Sequence, residues 1–219
     1  MTHVRSLLVL AVTLLLGTAL ISTAEAQGRR GGGAMRGSFI GLLSNEAVQK
    51  EMKLDEDQIG KVKAIGEKLR SEIGEQFGKL RDIEDRDKRR AKMTELMEQF
   101  DEKVREQAGE IIPREKMIRL YQIRLQVRGA VFGLNHPFVA GRLELTDEQK
   151  AKVADLEEAT QKKIYGSYSG MRDLNDQQRG ELFQKIRKIR TDGDAQAVEL
   201  LTAEQKEAFE KLQGDKFEL

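Results

Sequence analysis

From residue 55 onward, apolar residues recur every three or four positions. Ile59, Val62, Ile65, Leu69, Ile73, Phe77, Leu80 and Ile83 step in this way, and Met93, Met97, Phe100, Val104, Ala108 and Ile111 take it up again. A stripe at that spacing is one face of an α-helix. It predicts a long helix over Asp55 to Ile83, roughly 40 Å at helical rise, a charged turn from Asp85 to Arg90, and a second long helix after it. Shorter helices are predicted on either side, from Asn45 to Lys53 and from Pro113 to Val127. Pro113 suits the first helical position, where its missing N–H costs nothing. Gly74 and Gly78 soften the first long helix by about 1 kcal/mol each relative to alanine.

The same pattern returns in the second half of the chain. A shift of 91 residues sets Val48 on Val139, Met52 on Leu143, Leu54 on Leu145, Val62 on Val153, Ile73 on Ile164 and Phe77 on Tyr168. Beyond Asp85 and Asp176 a shift of 89 sets Met97 on Ile186, Ala108 on Ala197, Ile112 on Leu201 and Leu120 on Phe209. Gly166 and Gly170 repeat the glycine softening. An internal repeat of this length fixes the expected architecture: an all-α chain of two similar short-long-long-short helical units. Residues 44–127 form the first unit, 128–135 a hinge, and 136–219 the second, whose outer helices run from Pro137 to Glu144 and from Thr202 to Gln213. One extended antiparallel coiled coil is the coarser alternative.

Each unit carries a short motif where its helices begin. Leu145-Thr146-x-x-Gln149 and Leu201-Thr202-x-x-Gln205 share one pattern, Leu54-Asp55-x-x-Gln58 matches it with Asp for Thr, and Ile112-Pro113-Arg114-Glu115-Lys116 is a decayed copy. Thr or Asp accepts a hydrogen bond from the free amides of the first turn as N-cap. Gln three residues on reaches back to the amide of the cap residue, which completes a capping box. The acidic residues between them suit the positive end of the helix dipole, and the leading Leu turns into the core. On these grounds Leu54, Asp55, Gln58, Leu145, Thr146, Gln149, Leu201, Thr202 and Gln205 are structural, helix-capping residues.

With these motifs the chain resembles the LTxxQ-motif family of exported helical proteins, the Spy/CpxP-like periplasmic chaperones. The resemblance covers Ser44 to Gln213 as a pattern. It implies a cradle of long bent helices that binds unfolding proteins without ATP, or that represses an envelope stress sensor. Family members are homodimers, so a duplicated chain would look like such a dimer fused into one polypeptide, an elongated helical hairpin or cradle.

The first residues read as an address. Arg5, the apolar run Leu7 to Ile21, and the small residues of Ala24-Glu25-Ala26 make residues 1–26 a secretory signal peptide, with an uncleaved anchor as the alternative. Residues 27–43 follow as a Gly/Arg-rich flexible tether. Export to a periplasm-like space is the expectation, and a chain without cysteine holds itself together there without disulfides.

Composition narrows the chemistry. Lys and Arg number 38 against 37 Asp and Glu, a net charge of +1, which lacks the basic excess of a nucleic-acid binder. Aromatic residues are 5% and prolines two, against a sandwich or barrel. No cysteine nucleophile, Ser–His pairing or phosphate loop is present, so no catalytic or cofactor-binding residue is assigned and an enzyme is not expected. Past the signal the one histidine is His136, too few ligands for zinc, and it reads as a loop residue. Met52, Met93, Met97, Met117 and Met171 read as core. The terminal Lys216-Phe217-Glu218-Leu219 resembles a retention signal by coincidence. The expected partners are unfolded or envelope proteins and a second copy of the chain, with membrane contact only through the signal. A single-partner envelope adaptor and a carboxylate-based cation binder are the alternatives.

Overall fold

The computed structural model describes residues 37–168 and 170–218, all within one compact unit, Gly33–Leu219. The expected signal peptide and residues 27–36 of the expected tether lie outside the described residues. Ten α-helices and two 3-10 turns make up the described part, with no strand among its residues. In order they are α1 (Phe39–Leu43), α2 (Glu46–Glu51), α3 (Glu56–Lys79), a 3-10 turn (Leu80–Asp82), α4 (Arg86–Gly109) and α5 (Arg114–Arg128). Then come α6 (Ala130–Leu134), α7 (Pro137–Arg142), α8 (Asp147–Ser167), a 3-10 turn (Met171–Asp173), α9 (Asp176–Glu199) and α10 (Ala203–Gln213).

The second five helices repeat the order of the first five. Each half holds two short helices, then a long antiparallel hairpin (α3 with α4, α8 with α9) tipped by a 3-10 turn, then a closing helix. The cores repeat too. Ile40, Leu43, Val48, Met52 and Val62 lie in the first buried cluster, and Val131, Leu134, Val139, Leu143 and Val153, each 91 residues on, lie in the second. Ala108, Ile112 and Leu120 match Ala197, Leu201 and Phe209 at a distance of 89.

Five points differ from the sequence expectation. The expected tether contains α1, whose Phe39, Ile40, Leu42 and Leu43 are all buried. Ser38 accepts the amide of Gly41 at its start, and the Asp101 carboxylate of α4 accepts the amide of Phe39. The expected hinge 128–135 contains α6, likewise buried, and Asp194 of α9 accepts its Val131 amide at 3.0 Å. A short apolar run that pays for its ordering by burying most of its side chains is neither tether nor hinge. Residues 86–90 are helical rather than turn, because Asp85 caps α4 by accepting the amides of Asp87 and Lys88. Pro113 is the N-cap of α5, not its first helical residue, and Gly170 lies past the end of α8 with φ of 77°.

The two aspartates are the less obvious props of the fold. Asp101 also pairs with Arg124, whose guanidinium carbon lies 4.2 Å from the centre of the Phe39 ring. Burial pushes the Asp101 carboxyl above the ordinary range, against the pull of Arg124 and the Phe39 amide. Burial raises Asp194 as well, against the amides of Val131 and Ala130. Gly129, with φ of 84°, brings the chain so close to Asp194 that a β-carbon there would collide with the carboxylate.

Candidate functional site

All three intact motifs cap their helices as their residue types require. Asp55 accepts the Gln58 amide at 2.8 Å, Thr146 the Gln149 amide at 3.1 Å and Thr202 the Gln205 amide at 3.2 Å, and each glutamine accepts the amide of its cap residue in return. A fourth capping box, Asn175 with Gln178 at the head of α9, follows Leu174 and so fits the same pattern with Asn for Thr. Its residues were legible in the sequence as Leu-Asn-x-x-Gln.

The leading leucines also end the preceding helices. Leu54 donates its amide to Gln49 O and Lys53 to Lys50 O, and Leu145 and Glu144 do the same to Ala140 O and Gly141 O. These are the paired bonds of a Schellman ending, with Lys53 and Glu144 in the left-handed conformation at φ of 49° and 51°. The motif is therefore a joint: the leucine closes one helix and the next residue opens another.

The structure brings two of the motif glutamines together. Gln149 donates to the Gln205 side-chain oxygen at 2.7 Å and to Leu200 O at 2.9 Å, while Gln205 donates to the Gln149 oxygen at 3.1 Å and to Leu143 O at 3.2 Å. The reciprocal amide pair ties the start of α8 to the start of α10. In the first half Lys116 stands where Gln205 would, and its ammonium donates to Gln58 Oε1 at 3.0 Å and to Lys53 O. Pro113 explains the exchange. It has no N–H, so its box partner needs no acceptor, and a lysine, which has only donors, can take the position. This clasp has no catalytic geometry; it is a structural joint.

The surface with binding potential lies further out along the hairpins. Arg90, Met93, Met97 and Asp101 step by three and four along α4 and share a face. That face meets α1 at Asp101, and at its outer end Arg90 lies over the Tyr165 ring of α8, 4.8 Å from its centre. Met93, expected in the core, is 44% exposed there, whereas Met52 and Met117 are buried. On α9, Phe183, Arg187, Arg190 and Asp194 share a face by the same spacing, and Asp194 meets α6. Phe183 is 45% exposed; at the 89-residue shift Met93 falls on Leu182, so Phe183 stands one residue past the matching position. Tyr165 is exposed to the same degree. Each hairpin thus offers a large, half-exposed apolar side chain beside arginines.

His136 is the N-cap of α7, its Nδ1 accepting the Phe138 amide at 3.3 Å, so it is a capping residue rather than a loop residue. Partial burial and the positive charges of Arg124 and Arg128 hold its imidazole below the usual range. Among the described residues no group of three or more His, Asp or Glu is placed to hold a metal ion, and no helix is long and apolar enough to cross a membrane. Comparison with known proteins finds no matching family model, no matching curated protein and no matching solved structure.

Proposed function

We propose that this is an exported, non-enzymatic helical protein that captures unfolding polypeptides without ATP, on a scaffold made by duplication of one helical unit. The reading is supported chiefly by Met93 and Phe183, large apolar side chains left half exposed on the two charged hairpins. Thioether and aromatic groups accept partners of varied shape. The flanking Arg90, Arg187 and Arg190 keep the surface wet between encounters. The resemblance to the LTxxQ-motif chaperones supports the same reading, as does the capping geometry of Thr146 and Thr202.

A model client, denatured and diluted without ATP in the presence of the chain from residue 27, tests it by light scattering. Suppression of aggregation near stoichiometric amounts is the expected result. The double substitution Met93→Ser and Phe183→Ser is expected to raise the amount needed by about tenfold, since each handle contributes on the order of 1 kcal/mol when half buried by a client. No suppression by the unsubstituted chain would sink the reading.

One observation favours an envelope adaptor with a single partner as the second reading. Phe138 on α7 is 65% exposed, and the matching position in the first half is Ala47, so this anchor exists on one side only. An adaptor would capture one envelope protein, and Phe138→Ala would abolish the capture while leaving any general anti-aggregation activity unchanged.

A further inference from the structure

Both buried clusters stop short of the hairpin tips. The first core ends outward on Ile73, Phe77 and Phe100, and the second on Val153, Leu156 and Ala197. Apolar side chains buried further out, Leu80 and Leu96 on one hairpin and Ile164 and Ile186 on the other, belong to neither cluster. Between them stands the Arg90 guanidinium on the Tyr165 ring, with Met93 one turn along from Arg90.

We propose that Arg90 and Tyr165 form a latch between the outer hairpins beside the half-exposed Met93, and that its release frees Tyr165 and the ground around Met93 for a client; the proposal rests on the capture reading above. Two features make the pair a latch rather than a permanent joint. Both side chains sit at the surface, where a cation–π pair shifts an open–closed ratio by only about two- to fivefold. Arg90 also has a second partner ready, since Asp87 on the preceding turn lies 4.0 Å from its guanidinium. When Tyr165 withdraws, the charge moves to Asp87 instead of standing alone. A client side chain that stacks on Tyr165 or packs on Met93 competes with Arg90 directly, so capture and opening draw on the same atoms.

The chain has no cysteine, so pairs can be introduced without background. Spin labels at Glu84 and Asp173, exposed residues at the two tips, report the separation of the hairpins by electron–electron double resonance. In Arg90→Ala and Tyr165→Ala the population at longer distance is expected to grow by about two- to fivefold, and Arg90→Lys, which keeps a cation, is expected to stay close to the unsubstituted chain. Distance distributions identical in all four proteins would overturn the latch. A second arm joins Arg90→Cys to Tyr165→Cys with a bismaleimide linker. Anti-aggregation activity is expected to disappear on linking and to persist in the unlinked pair; equal activity in both would also overturn it. If the unsubstituted chain protects no client, the capture reading fails, while the distance distributions still decide whether the hairpins are latched.

Discussion

Gln149 uses every hydrogen-bonding position of one side-chain amide. Its oxygen accepts from Thr146 N at 3.0 Å and from Gln205, and its nitrogen donates to Gln205 and to Leu200 O. Thr146 makes a single capping bond by comparison. Thr146→Ala is therefore expected to cost about 1 kcal/mol, the usual value of a cap. Gln149→Ala is expected to cost about 2–3 kcal/mol, because it also strands Leu200 O and the Gln205 amide. Urea unfolding of both variants decides the matter: equal losses would mean the amide pair contributes nothing. A cycle with Gln205→Ala is expected to be non-additive, since the two residues share bonds. The capping half of this role was legible in the sequence, where Thr and Gln stand three apart. The clasp was not, because its two halves lie 56 residues apart and no local pattern joins them. Lys116 shows the same limit. As a sequence letter it broke the motif, yet in the folded chain it reaches Gln58 and does the work of a glutamine beside a proline.

Lys53 and Glu144 close α2 and α7 in a backbone conformation that L-residues adopt at a cost of roughly 1 kcal/mol. Glycine is the usual occupant of that position. Lys53→Gly is expected to stabilise the protein by up to about 0.5 kcal/mol after the extra freedom of the unfolded glycine is deducted. A rise in thermal midpoint checks this, and a fall would mean that Lys53 contributes more than its backbone strain costs. The long helices were legible because eight apolar steps leave no other period. Three joints were legible from a cap and its glutamine, while the caps Asp85 and Asn175, equally local, were passed over. The five-residue helices α1 and α6 escaped notice for a physical reason: one turn and a half shows no periodicity, and glycines flank both runs. What identifies them is burial against Asp101 and Asp194, which is tertiary. The exposed Met93 was misread for the converse reason, since periodicity reports a helical face without saying what covers it.

The two halves are joined by an exchange of side chains. Helix α5 sends Met117, Leu120 and Ile123 into the first core and Leu125, further along, into the second. Helix α10 places Phe209 in the second core, then the chain breaks at Gly214, with φ of 63°, and its tail returns Phe217 to the first. The Phe217 amide donates to Gln126 Oε1 at 2.8 Å, and Gln126 donates to the carbonyls of Gln213 and Asp215. Arg119 holds Glu51 and the Asp215 carbonyl together from α5. A residue at the far end of the sequence thus completes the core that begins at Phe39. Phe217→Ala is expected to cost about 1–2 kcal/mol, the value of a partly buried aromatic ring. Its location is the sharper test. Amide hydrogen exchange is expected to quicken in α1 to α5, 90 residues or more away in the chain, and to change least in α7 and α8 of its own half. Exchange that quickens only around α10 would show that the tail is an appendage and that the first core closes without it.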